Sequence, residues 1–206
     1  MADRKTNTLT VWIIVIGWAG LSLILNIRGL FIDQLEKPPL ALLLSVTGPP
    51  ILFLIAYSLS TKVRSVSLNL DLRLLTAMQG WRVIGAMFLV LMSFRLLPGT
   101  FAWPAGIGDL IVGMYAPFVV VAISRQTPGW SKHVVLLNVL GLLDFVGAIG
   151  GGVLSGRSPI GILRVEVPTD IMQQLPLSFI PTFAVPFWIV LHIISLLKLR
   201  NLQAGD

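Results

Sequence analysis

Two aspartates stand in stretches that are otherwise apolar enough to cross a membrane, and each sits in a frame of small residues. Gly106, Asp109, Gly113 and Ala116 form the first frame; Gly141, Asp144, Ala148 and Gly151 form the second. A carboxylate at bilayer depth costs roughly 2.5–3.5 kcal/mol on insertion scales, so it marks a buried partner or a functional site. Arg82, Asn138 and His192 are further polar side chains inside apolar stretches. Acid and imidazole groups at membrane depth are the usual parts of proton and ion relays, which is the chemistry these residue types offer. Helical periodicity places each frame on one face. Small residues let neighbouring helices approach closely, so both carboxylates are expected to face the interior of a bundle. His133 lies eleven residues before Asp144, on the same face.

Other chemistries fit less well. Haem needs axial ligands facing each other at one depth. His133 and His192 are the only histidines, they fall at different depths, and Met87, Met92 or Met114 would be ad hoc substitutes. A b-type haem held by His192 is a lesser alternative, and no cofactor is expected. A catalytic metal wants clustered histidine and carboxylate, which the spacing does not supply, so no metal site is expected. Ser93 and Ser195 lack a nucleophile motif. Gly147-Ala-Ile-Gly-Gly-Gly152 ends a helix and lacks the Lys-Ser/Thr of a phosphate loop. Without cysteine there is no disulfide and no thiolate chemistry.

These residues must be positioned by membrane helices. Of 206 residues, 55% are hydrophobic and 12% charged, with a mean hydropathy of +0.89, the profile of a polytopic membrane protein. A spanning helix needs about 20 mainly apolar residues. Six segments qualify, near 9–27, 39–60, 77–97, 106–124, 134–153 and 177–198. The expected fold is an all-α integral membrane bundle of six helices, one domain over 1–206. The first run is uncharged from Thr6 to Ile27 and lacks a convincing cleavage site, so it reads as a retained helix. A polar connection covers 61–76, and the longest loop covers 154–176. In that loop, 168–176 reads as a short interfacial helix capped by Thr169. Thr47-Gly-Pro-Pro50, Pro181 and Pro186 are expected to bend their helices.

Lys and Arg asymmetry sets orientation. With the N-terminus inside, Arg4, Lys5, Lys62, Arg64, Arg73, Arg125, Lys132, Lys198 and Arg200 collect on the cytoplasmic side; Arg28, Lys37, Arg157 and Arg164 collect outside, with Arg95 at the edge. Both termini are therefore expected in the cytoplasm, and Asp33, Glu36, Glu166 and Asp170 outside. Trp12, Trp81, Trp103 and Trp130 are expected near helix ends as an aromatic belt. The net charge of +6 is explained by this asymmetry rather than by nucleic acid, for which no basic stripe or stacking platform exists. Chain direction then sorts the polar groups by depth. Asp109 falls near the outer surface, within reach of Arg95. Asp144 falls near the midplane without a cation at its depth. Arg82, Asn138 and His192 fall in the inner third.

Gly80-Trp-Arg82, Leu97-Pro98, Trp103-Pro-Ala-Gly-Ile-Gly-Asp109, Asn138-x-x-Gly-Leu-Leu-Asp144, Ile180-Pro-Thr-Phe-x-Val-Pro186 and Leu191-His192 occur together. This set resembles small bacterial multi-pass membrane proteins of unknown function and covers about the C-terminal two-thirds of the chain. The resemblance implies a bacterial inner membrane and no particular activity. The residues themselves suggest a proton or small-solute path centred on Asp144. Asp109 with Arg95 would form an outer gate, and Arg82 with His192 an inner relay or anion site. Beyond the lipid bilayer, a homo-oligomer or a membrane-protein partner is expected, since six helices are few for a transporter. The competing reading is a non-catalytic accessory or lipid-interacting subunit. Its mark would be complete pairing of the buried charges with no cavity beside Asp144.

Overall fold

The apolar runs become helices, and six of them are long and apolar enough to cross a membrane. The computed structural model describes residues 2–32 and 37–204, with side chains over 9–32 and 37–203. Asp33 and Glu36 lie outside the described residues, as do the side chains of Arg4 and Lys5. The order is α1 (Ala2–Ile27), α2 (Leu40–Leu59), α3 (Thr61–Asn69), α4 (Leu72–Ala77), a 3-10 segment (Met78–Ala86), α5 (Met87–Ser93), α6 (Gly99–Arg125), α7 (Trp130–Leu154), a 3-10 turn (Thr169–Gln173), a π turn (Ile180–Ala184) and α8 (Val185–Ala204). The third span is composite: α4, the 3-10 segment and α5 run together from Leu72 to Ser93.

The largest departures from expectation are the starts of the third and fourth spans. The third begins at Leu72 rather than 77, because the Asp71 carboxylate accepts from the Arg73 amide at 2.8 Å and caps α4. The fourth begins at Gly99 rather than 106, directly after Pro98, and continues through Pro104 and Pro117. The connection over 61–76 is mostly helical, since Ser60 Oγ accepts from Val63 N and caps α3. In the long loop, Thr169 does not cap a helix. Its hydroxyl donates to Gly152 O at 2.6 Å and ties the loop to α7. Helix α2 passes unbroken through Pro49 and Pro50, whereas Pro181 sits in the π turn ahead of α8.

The six long apolar spans leave the bundle with two ends. The terminal end holds the first residues of α1, α3, the α6–α7 turn and the last turn of α8. The loop end holds the start of α2, Arg95 and the 154–180 loop. Helix α6 is central, burying Phe101, Ala105, Val112, Ala116, Val119 and Ile123 against α7 and the composite span. Helix α1 is peripheral. It attaches where Ser22 and Asn26 bond Thr182 Oγ1 at 3.0 and 2.9 Å and where Trp18 meets Phe183 and Phe187 edge-on. Trp103 and Trp130 lie toward the starts of α6 and α7 as expected, and Trp12 near the start of the apolar span Leu9–Ile27 within α1. Trp81 does not: it lies midway along its span with an exposed side chain, because that span starts earlier.

The 3-10 segment decides what faces inward. A nine-residue 3-10 stretch is long for this conformation, in which side chains three apart eclipse. Thr76, Gln79, Arg82, Gly85 and Phe88 accordingly form one buried row. At the start of this segment the Met78 carbonyl accepts from Trp188 Nε1 at 3.2 Å.

Arg95 closes this span in the left-handed region, with φ 56°. Its amide bonds Met92 O at 2.9 Å and the Leu96 amide bonds Leu91 O at 2.9 Å, a terminus that glycine usually makes. Arg95→Gly is therefore expected to raise stability by up to about 1 kcal/mol. Denaturant unfolding in micelles checks this, and a loss of stability would show that the arginine side chain matters there.

Candidate functional site

Arg82 is 1% exposed and is the hub. Its Nε donates to Asp109 Oδ1 at 2.7 Å, and Nη2 donates to Asp144 Oδ2. Nη1 donates to the Gly141 carbonyl at 3.4 Å and meets His192 Nε2 at 3.1 Å. The guanidinium carbon lies 4.0 Å from the centroid of the Phe145 ring, a cation–π placement. One side chain thus joins the composite span, α6, α7 and α8.

The hydrogen-bond pattern assigns the protons. A guanidinium only donates, so His192 Nε2 must accept from it. Nδ1 then carries the ring proton and donates to Asn138 Oδ1, 2.8 Å away. Asn138 Nδ2 donates in turn to Val134 O at 2.7 Å and to Ser195 Oγ at 3.0 Å. The chain of bonds is consistent only with neutral histidine. The two aspartates therefore share a single positive charge, and the cluster is one unit negative when both carboxylates are ionised.

Glycines make the room. A Cβ on Gly85 would overlap the Asp109 carboxylate, and one on Gly108 the Asp144 carboxylate. On Gly141 it would overlap the His192 ring and fall 2.7 Å from Arg82 Nη1. On Gly113 it would fall 2.7 Å from Val83 N, so α6 and the 3-10 segment touch backbone to backbone. The two small-residue frames both face the interior, as expected.

Beside the carboxylates lies a cleft of about 100 Å³. A water needs about 10–15 Å³ of such space, so the cleft has room for several. Asp109 and Asp144 form part of its wall, with Val46, Phe88, Phe101, Phe145 and Trp188; toward the loop end it is lined by Ser158, Thr169 and Gln173. Asp144 Oδ1 and Asp109 Oδ2 make no hydrogen bond among the described residues, and their side chains keep 7% and 13% exposure. Toward the terminal end the helices close on apolar side chains, with Val112, Val119, Leu137 and Leu199 in one cluster and Leu75, Leu191 and Ile194 in another.

Three expectations are corrected. Asp109 pairs with Arg82 and not with Arg95, which stands in the turn at the loop end. Asp144 does have a cation, the same Arg82. The reason is depth. Arg82 lies ten residues into its span, Asp109 ten residues into α6, and Asp144 ten residues before the end of α7, so all three meet mid-bundle. Arg82 and His192 sit at mid-span rather than in an inner third. Asn138 and His192 join the Arg82 network. His133 does not: it is exposed and meets Tyr115 OH through Nδ1 at 2.6 Å. Both ring nitrogens of His192 are engaged in the network, where a haem iron would need one free. Ser195, Gly85, Gly108 and Phe145 went unrecognised as parts of this cluster. The i, i+3 spacing of His192 and Ser195 was the one available signal for the first.

The site residues just described all fall in the stretch matched by a family model, described as a domain of unknown function, DUF8737, which spans residues 39–200. The chain belongs to this family. No curated protein and no solved structure matches it. The DUF8737 region takes in five of the six spans and leaves α1 outside, in keeping with the peripheral attachment of that helix. Membership agrees with the resemblance to membrane proteins of unknown function and reaches further toward the N-terminus.

Proposed function

We propose that this protein moves a proton or a small solute through a polar path centred on Asp144. One observation carries the reading: two mid-bundle carboxylates share one guanidinium and border a cleft lined toward one end by the long loop. A buried net charge is costly unless compensated, so the cluster favours taking up one proton or cation. The chain Arg82, His192, Asn138 and Ser195 continues the polar file toward the terminal end, where apolar packing closes it. This is the arrangement of a site reached from one side. With a bacterial inner membrane and both termini cytoplasmic, that side is the outer one.

A second reading, an accessory or lipid-interacting subunit, draws on the way Arg82 ties four spans together. Pure packing would not require the cleft beside Asp144, and this favours the path.

The test is proton flux in proteoliposomes under an imposed pH gradient. The wild type is expected to collapse the gradient well above the protein-free rate. Asp144→Asn, confirmed as folded by gel filtration and circular dichroism, is expected to fall to background. Equal flux in the two proteins would reject Asp144 as the centre.

A further inference from the structure

We propose that the cleft binds a monovalent organic cation with an apolar body, its charge seated beside the Asp144 and Asp109 carboxylates that line it. The inference rests on the transport reading above and names the class of solute. Three features of the cleft converge on this class. Its walls carry Phe88, Phe101, Phe145 and Trp188, apolar surfaces whose ring faces also attract cations. Among the described residues its only charged lining groups are Asp109 and Asp144. Their shared counter-ion, Arg82, is not among the lining residues, and its nitrogens are engaged by Asp109 Oδ1, Asp144 Oδ2, the Gly141 carbonyl and His192. What remains toward the cleft is one unit of uncompensated negative charge in an apolar, partly enclosed space.

An anion would meet like charge there. A strongly hydrated metal ion would meet few oxygens to replace its water. A weakly hydrated ammonium with alkyl or aromatic substituents loses little on leaving water and gains both the charge and the walls. The facing ionisable groups are Arg82 from the 3-10 segment, Asp109 from α6, Asp144 from α7 and His192 from α8; α2 contributes apolar wall. A proton on either carboxylate cancels the excess charge, so the organic cation and the proton compete for one site.

The experiment is calorimetric titration of the purified full chain in micelles with tetraethylammonium chloride, with sodium chloride and butanesulfonate as controls. Saturable binding of tetraethylammonium is expected, weakening as pH is lowered. It should be at least about tenfold weaker in Asp144→Asn and in Asp109→Asn, each of which removes the excess charge, so that a folding failure in one leaves the other as the test. Binding unchanged in both variants, or matched by either control, means an adventitious additive only and overturns the proposal. Wild-type proton flux without tetraethylammonium binding also overturns it, while leaving the proton path standing. Carboxylate-dependent binding without flux upholds the site and rejects the transport reading.

Discussion

Arg82→Met is expected to lose about 3–5 kcal/mol of folding stability, the cost of breaking a buried ion pair by removing one partner. The arginine is nearly inaccessible and bonds two carboxylates, a carbonyl and a histidine on three other spans. Methionine fills much of the volume but leaves both aspartates without a counter-charge and His192 Nε2 without its donor. Restoring charge balance should reverse most of the loss: Arg82→Met combined with Asp109→Asn and Asp144→Asn is expected to recover most of the deficit, because a buried ionic cluster replaced by neutral groups is often no less stable. Unfolding in mixed micelles by denaturing detergent gives both values. An Arg82→Met variant within about 0.5 kcal/mol of wild type, as for an ordinary surface change, would mean that the guanidinium is not the hub described.

The second large effect is steric. Gly141→Ala places a methyl group into the His192 ring and against Arg82 Nη1. Overpacking of a core costs about 1–3 kcal/mol, and the upper end is expected because the atoms displaced are fixed by hydrogen bonds. Gly108→Ala should behave alike, through the Asp144 carboxylate. Gly147→Ala, in the same helix as Gly141, is the control. The nearest atom to its Cβ is Pro104 Cβ at 4.0 Å, and alanine improves helix propensity by up to about 1 kcal/mol. It should be neutral or slightly stabilising. Equal effects at 141 and 147 would show that helix propensity, not the cradle, governs these positions. Flux should fall in Gly141→Ala and Gly108→Ala and persist in Gly147→Ala.

Most of the fold was legible because membrane helices announce themselves by length and apolarity, and the inward faces of α6 and α7 because small residues recur at helical spacing. The pairing was not legible, for a reason that can be stated in residues. Reading the third span as 77–97 put Arg82 five positions from the terminal end, and reading the fourth as 106–124 put Asp109 three positions from the loop end. The structural spans start at Leu72 and Gly99, moving both to mid-bundle from opposite sides. Asp71 and Pro98 set those starts, and the Asp71 cap is hard to see in a stretch that also holds Arg73. The 3-10 segment hid the rest. With three residues per turn rather than 3.6, Gln79, Arg82 and Gly85 share one row, whereas an α-helical reading fans them apart. Arg95 looked like a partner because it is close in sequence to Asp109, but its left-handed φ makes it a turn residue. Asn138, His192 and Asp144 were recognisable singly, as polar groups where lipid-depth helices rarely carry them.

The proposed path requires that the two mid-bundle carboxylates, sharing one guanidinium, hold one exchangeable proton. Difference infrared spectroscopy of the carboxyl stretch tests it most directly, on the reconstituted protein as the bathing pH is changed. One carboxylic-acid band is expected that gains and loses intensity reversibly, shifts in heavy water, and disappears or moves in both Asp144→Asn and Asp109→Asn. Two carboxylates that stay ionised, with no such band over the whole pH range in which the protein remains folded, would contradict it.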